Sequence, residues 1–150
     1  MECVKVTLNV SICFKTENNI QMAPQELVAA LLKMEDKQGQ QLLKTQLPAI
    51  DDTSLNLLVE LIKREADRQW AKESGLSFRL AGYLMFIGDT IQNKYVHALG
   101  LMARGDALRR MDRDQAALPF FDAAGAEFLE IDDEVSWRAL VLVESAPACN

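Results

Sequence analysis

Residues 101–132 read LMARGDALRRMDRDQAALPFFDAAGAEFLEID, and this stretch decides the predicted fold. Its first half places Leu101, Gly105 and Leu108 at helical spacing on one face, and its second half returns to helical spacing after a polar break. A short polar break between two helices of this length is typical of an antiparallel hairpin. The stretch therefore predicts two neighbouring helices that pack against each other.

The small and large residues of this hairpin follow a known repeat pattern. Leu101, Gly105 and Leu108 are followed by Ala117, Phe121 and Ala124. This spacing resembles the tetratricopeptide signature W-x2-L-G-x2-Y followed by A-x3-F-x2-A. The resemblance implies that the small Gly105 and Ala117 let the two helices approach closely, and that Phe121 fills the space between successive hairpins. Arg104 stands where the signature has Leu, and Leu129 where it has its closing Pro.

Helical periodicity continues on both sides of the hairpin. The third helix along the chain is expected to place Leu58, Ile62, Ala66 and Trp70 on one apolar face. The expected class is all-α, with antiparallel hairpins stacked as a tetratricopeptide-like α-solenoid over residues 22–150. The helices are predicted over about 22–34, 42–47, 55–73, 76–88, 92–111, 114–131 and 134–145.

The ends of these helices are predicted from glycine and from capping residues. The string DDTS at 51–54 offers N-cap side chains. Asp112 suits a left-handed residue at a helix end. Gly39, Gly75 and Gly88 are each expected to interrupt or end a helix.

The first 21 residues have a different pattern. In ECVKVTLNVSICF the even positions from Val4 to Phe14 are apolar and the intervening positions from Lys5 to Ser11 are polar, which is typical of a half-buried strand. No second strand is found in the sequence to pair with it. Residues 1–21 are therefore expected to pair in trans, to pair with another part of a parent protein, or to form a disordered N-terminal extension.

The composition is that of an acidic globular protein. Apolar residues make up 49% and charged residues 25%, the formal net charge is −6 and the sequence pI is about 4.8. A phosphate backbone requires a basic surface, so no nucleic acid is expected as a partner. The sequence contains no uncharged apolar run of the ~20 residues that span a bilayer and no signal-peptide pattern. A cytoplasmic protein that does not bind a membrane is therefore expected.

Few residues have the spacing of a catalytic, cofactor or metal site. Cys3, Cys13 and Cys149 form no C-x-x-C motif, and His97 is the only histidine. Structural zinc commonly needs four such ligands, and a disulfide framework needs an even number of cysteines. His97 has no acid or cysteine at helical spacing that suggests a dyad, and no phosphate-binding glycine motif is present. The sequence thus predicts no catalytic residue, no cofactor and no metal, and a chain that is not an enzyme.

The repeat resemblance also implies a binding groove, because the first helices of tetratricopeptide repeats line a concave surface. Two arginines beside an apolar pair would suit an acidic or carboxylate-bearing peptide. The alternative is that the basic concentration, which also includes Arg104 and Arg113, only solvates the surface. Asp106 and Arg110 are also spaced as an i,i+4 ion pair. Mapped through the motif, the groove positions are Leu99, Met102, Asp106, Arg109 and Arg110.

The expected function is therefore that of a protein–protein interaction scaffold. Segments such as LPAIDD, LVELIKREADRQW and FRLAGYLMFIGD, with RGDALRRM and FLEIDDEV, also resemble bacterial proteins that carry tetratricopeptide repeats before a caspase-like CHAT protease domain. That resemblance covers about residues 25–145. It implies an alternative function, a regulatory arm of such a protease system, whose catalytic His and Cys would lie in a domain that this chain does not contain.

The predicted last helix has apolar residues around nearly its whole circumference, among them Val135, Trp137 and Leu140. A helix that is apolar all round is typically buried on both sides. The last helix of a solenoid normally has a polar outer face. The chain is therefore expected to be the start of a longer solenoid, or to form a homodimer through this helix.

Overall fold

The computed structural model describes residues 20–131, and every regular element in that range is helical. Helix accounts for 84% of the described residues, and no strand occurs among them. The predicted all-α class is thus confirmed for this range. The strand predicted within residues 1–21 and the last helix predicted over 134–145 lie outside the described residues, except that residues 20–21 are described and have no regular structure.

Six α-helices follow one another between residues 20 and 131, with short connections. None of them is long and apolar enough to cross a membrane. A 3-10 turn, Leu47–Ala49, lies between the second and third. The helices are α1 (Pro24–Lys33), α2 (Asp36–Gln46), α3 (Asp52–Gln69), α4 (Ser74–Ile91), α5 (Lys94–Arg110) and α6 (Asp114–Glu130).

Side-chain caps begin two of these helices. Asp51 accepts a hydrogen bond of 2.7 Å from the Ser54 amide at the start of α3. Asn93 accepts one of 3.1 Å from the Val96 amide at the start of α5. Between α5 and α6, Asp112 has a φ of 59°, which confirms the left-handed residue predicted there.

Three glycines predicted to interrupt or end helices lie inside helices, so that prediction is wrong. Gly39 belongs to α2, Gly75 to the first turn of α4, and Gly88 to the last turn of α4. A Cβ at Gly39 would collide with the ring of Tyr83, and one at Gly88 would collide with the backbone of His97. A neighbouring helix therefore occupies the space of a side chain at these two positions, and close packing explains the glycine.

From α3 onward each helix packs against the next one in sequence, whereas α1 and α2 pack mainly against α3 and α4. The most extensive contacts join α4 to α5 and α5 to α6, and further contacts join α1 to α3, α2 to α4 and α3 to α5. Residues of α1 to α4 and the start of α5 form one core cluster, and residues of α5 and α6 with part of α4 form a second. Helix α5 thus contributes to both clusters.

The α5–α6 hairpin has the close approach that its motif predicts. A Cβ at Gly105 would lie 2.7 Å from Cε1 of Phe121. Phe121 is 1% exposed and Ala117 is fully buried. The ring of Phe121 therefore lies against α5, inside the hairpin, in space that Gly105 leaves open, and not between successive hairpins as the resemblance implied.

We expect Ala117→Arg to lower the free energy of unfolding by about 4 kcal/mol or more, because the larger side chain would overfill the contact and bury an unpaired charge. Ala123→Arg is the matched control, since Ala123 is exposed on the same helix. Ala123→Arg should change the free energy of unfolding by about 0.5 kcal/mol or less. The measurement is urea unfolding followed by circular dichroism, and equal midpoints for the two variants would contradict the described packing of α6.

Candidate functional site

The five residues predicted to line a groove all lie on α5. Arg110 is exposed, and Leu99, Met102, Asp106 and Arg109 are half-buried. Leu99 packs against both core clusters and Met102 packs against the second. The two apolar positions therefore contribute to the core as well as to the surface. The polar positions lie towards the C-terminal end of the helix.

A tryptophan joins this end of α5 to the end of α3. The Nε1–H of Trp70 donates a hydrogen bond of 3.1 Å to the main-chain carbonyl of Asp106. The guanidinium carbon of Arg110 lies 4.0 Å from the centre of the Trp70 ring. The aromatic face attracts the cation, while the N–H groups at the edge of a stacked guanidinium can still bind a carboxylate. The stack thus favours this orientation of Arg110 at the surface.

Two sequence predictions about these residues are wrong. Trp70, predicted on the apolar face of α3, is 37% exposed because α3 ends at Gln69 and the indole turns towards α5. The predicted ion pair of Asp106 with Arg110 does not form among the described residues, and Arg110 instead lies over the Trp70 ring. The stack is a tertiary contact between residues far apart in sequence, so helical spacing could not reveal it.

Helix α3 also places charged groups beside Asp106. Nζ of Lys63 lies 2.8 Å from both carboxylate oxygens of Asp67. Burial raises the pKa of Asp106 to about 6; Lys63 and Arg109 act to lower this pKa and Asp67 acts to raise it. No described side chain donates a hydrogen bond to the Asp106 carboxyl, so hydrogen bonding does not offset the cost of burying its charge.

Arg104 lies apart from the other arginines of α5. Its guanidinium carbon lies 4.1 Å from the centre of the Phe78 ring, and its Nε donates a hydrogen bond of 3.4 Å to the Phe78 carbonyl. The rings of Phe120 and Phe78 pack edge to face, with 6.5 Å between their centres. Burial lowers the pKa of Arg104, while the charge of Asp36 acts in the opposite direction. The basic concentration of the sequence is therefore divided between two sides of α5.

Sequence reasoning missed the partners of His97. Its Nδ1 lies 2.8 Å from Oε1 of Glu127 on α6, and its Nε2 lies 3.7 Å from Oδ1 of Asp89 near the end of α4. Lys94 pairs with Glu130 and also joins α5 to α6. Glu127 is 30 residues from His97, so a search at helical spacing does not find it. Within residues 20–131, no group of three or more His, Cys, Asp or Glu side chains is placed to hold a metal ion.

A separate cavity of about 550 Å³ is lined by Glu35, Asp36, Lys37 and Arg79. Nη2 of Arg79 donates a hydrogen bond of 3.2 Å to the Leu32 carbonyl, and its Nε is buried without a partner among the described residues. The lining carries charges of both signs, so it favours no single charge of ligand. None of the five predicted groove residues lines this cavity.

Comparison of the chain with models of known protein families, with curated proteins and with solved structures found no match. At the surface, the contacts of Trp70 with Asp106 and Arg110 join the end of α3 to α5. We define this α3–α5 surface as Lys63, Asp67, Trp70, Asp106, Arg109 and Arg110.

We expect Asp106→Asn to stabilise the chain at pH 7.5 by about 1–3 kcal/mol, because each unit of pKa shift corresponds to about 1.4 kcal/mol. The pKa of Asp106 in the folded chain lies above its ordinary value of 3.8. The folded state therefore binds this proton more tightly than the unfolded state, and wild-type stability falls as the pH rises from about 4 to about 6. The gain from Asp106→Asn should be full above this range and should disappear near pH 4.

The measurement is urea unfolding of both proteins at several pH values, since the difference between them cancels the other titrating groups. Asp122→Asn, on the exposed side of α6, is the control and should change the free energy by about 0.5 kcal/mol or less at each pH. A gain from Asp106→Asn that did not vary with pH would contradict the described environment of this carboxyl.

Proposed function

We propose that the chain is a non-enzymatic scaffold that binds a segment of a partner protein on the α3–α5 surface. The observation that carries this proposal is the stack of Trp70 and Arg110. Tryptophan and arginine are the residue types most often found where binding energy concentrates in protein interfaces. Here the ring is exposed and oriented by its bond to the Asp106 carbonyl, so little side-chain entropy would be lost on binding.

The packing order of the helices supports a tetratricopeptide-like α-solenoid as the setting of this surface. α1 contacts α3 and α3 contacts α5, while α2 contacts α4. In a stack of helical hairpins the first helices lie side by side in this way and form a continuous binding surface. On this proposal α3 and α5 are the first helices of the two packed hairpins α3–α4 and α5–α6, α1 extends their row, and the α3–α5 surface belongs to their shared face.

The partner segment that we propose is acidic. Arg110 brings a positive charge to the exposed ring of Trp70, in a chain whose formal net charge is −6. Arginine binds carboxylates through paired N–H groups, and the stack on Trp70 leaves the edge of the Arg110 guanidinium available for such a contact. We therefore propose Arg110 as the positive contact for an acidic segment.

The regulatory-arm alternative rests on the sequence resemblance to proteins with a caspase-like CHAT domain, and it stays a prediction. The cytoplasmic location stays a prediction as well. The homodimer or longer solenoid depends on residues 134–145, which lie outside the described residues, and it stays a prediction.

Photo-crosslinking in an extract of the native host tests the scaffold proposal. A benzoylphenylalanine at Ala71, which is exposed beside Trp70, should capture a defined partner, whereas the same group at the exposed Ala126 on α6 should not. Arg110→Glu should reduce the captured amount at Ala71 by about tenfold or more, because it reverses a charge in direct contact with the partner. Mass spectrometry of the product would identify the partner.

Arg113→Glu is the matched control, since Arg113 is exposed in the turn after α5 and lies outside the α3–α5 surface. It makes the same change in net charge and should leave the crosslink intact. Equal losses in the two variants would mean that only the overall charge matters, and the proposed binding surface would be wrong. A caspase-like protease among the products would favour the regulatory-arm alternative.

A further inference from the structure

A buried amide holds the segment in front of α1. Gln46, the last residue of α2, is only 7% exposed although its side chain is polar. Its Oε1 accepts a hydrogen bond of 2.8 Å from the main-chain N–H of Met22, and its Nε2 donates one of 3.1 Å to the main-chain carbonyl of Ile20. The oxygen and the nitrogen of the buried amide are therefore both paired, as buried polar groups usually are.

These two bonds involve the main chain of the segment and not its side chains. A primary amide has an acceptor oxygen and donor N–H groups, so it can pair with a main-chain N–H and a main-chain carbonyl at once. The side chain of Ile20 is 74% exposed and Gln21 is exposed as well, whereas Met22 is half-buried and packs against the first core cluster. Residues 20–22 are thus held by two main-chain hydrogen bonds and one apolar contact.

Helix α1 begins without help from these residues. Pro24 occupies its first position, where no N–H is needed. The N–H of Ala23 donates a hydrogen bond of 3.1 Å to Oε1 of Glu26, and the carbonyl of Ala23 accepts one of 2.9 Å from the N–H of Leu27. The first turn of α1 is therefore capped within residues 23–27, and release of residues 20–22 would break none of its hydrogen bonds.

We propose that residues 20–22 form a strap that Gln46 latches to the end of α2, and that this strap opens and closes while the six helices stay folded. Two hydrogen bonds of ordinary strength favour the closed strap by about 5- to 150-fold, far less than a domain favours its folded state. The closed strap covers the amide of Gln46. The open strap adds three residues, or about 10 Å of reach, to the chain that precedes Ile20.

Amide hydrogen exchange of the full chain, followed by NMR, tests the strap. The N–H of Met22 exchanges only when its bond to Gln46 is broken, so its rate reports the population of the open strap. It should exchange about 5- to 150-fold more slowly than in an unstructured peptide of the same sequence, yet much faster than the N–H of Leu84 in the buried middle of α4. Low concentrations of urea should leave the Met22 rate unchanged, because opening of the strap exposes little surface.

Gln46→Leu removes both hydrogen bonds of the latch and keeps a side chain of similar size. It should speed the exchange of Met22 by about fivefold or more and leave the N–H of Ala23, which bonds within α1, at its wild-type rate. Gln40→Leu is the matched control, since Gln40 is exposed on the same helix, and it should not change the Met22 rate. Ile20→Ala should also keep this rate, because only the main-chain carbonyl of Ile20 takes part.

Four results would overturn the strap. Exchange of Met22 at the rate of an unstructured peptide would show that no closed strap exists. Exchange as slow as that of Leu84, with the same response to urea, would show that the strap opens only when the helices unfold. Equal Met22 rates in Gln46→Leu and Gln40→Leu would show that Gln46 is not the latch. Loss of the helical circular-dichroism signal in Gln46→Leu would show that Gln46 holds the helices together and not only the strap.

Discussion

Helix α5 is in close contact with a helix on each side, and glycine makes both contacts possible. Gly100 faces α4, and Gly105 faces the ring of Phe121 on α6, so that a methyl group at either position would overlap atoms of the neighbouring helix. Close-packed interiors cannot absorb such an overlap without movement of a whole helix. These two contacts fix the rotation of α5 about its axis, and that rotation presents Asp106 and Arg110 at the side where α3 ends.

The order of the helices and the α5–α6 hairpin could be predicted from the sequence because both depend on local spacing and on turn residues such as Asp112. The role of glycine could not be predicted in the same way. Gly39 and Gly88 have no side chain because Tyr83 and His97 from other helices occupy that space. A glycine at the end of a helix and a glycine that makes room for a neighbouring helix cannot be distinguished in a sequence. Only tertiary packing tells them apart.

The candidate site shows the same division between local and tertiary information. All five predicted positions lie on α5. Trp70 of α3 contacts two of them, and this contact could not be predicted because it joins residues far apart in sequence. Arg104 and Arg110 are close in sequence and belong to one basic stretch of the chain. In the structure Arg104 covers the half-buried Phe78, whereas Arg110 lies on the exposed Trp70. A cluster of charge along the chain is therefore not a cluster of charge in space.

The position of Trp70 has an optical consequence. The chain contains two tryptophans, and the indole of Trp70 touches both the cation of Arg110 and the carbonyl of Asp106 while part of its ring remains in water. Indole emission depends on the polarity and charge around the ring, because the ring has an apolar body with a polar N–H. In a Trp137→Phe variant, the fluorescence emission of Trp70 would report the binding of a molecule to the α3–α5 surface without an added label.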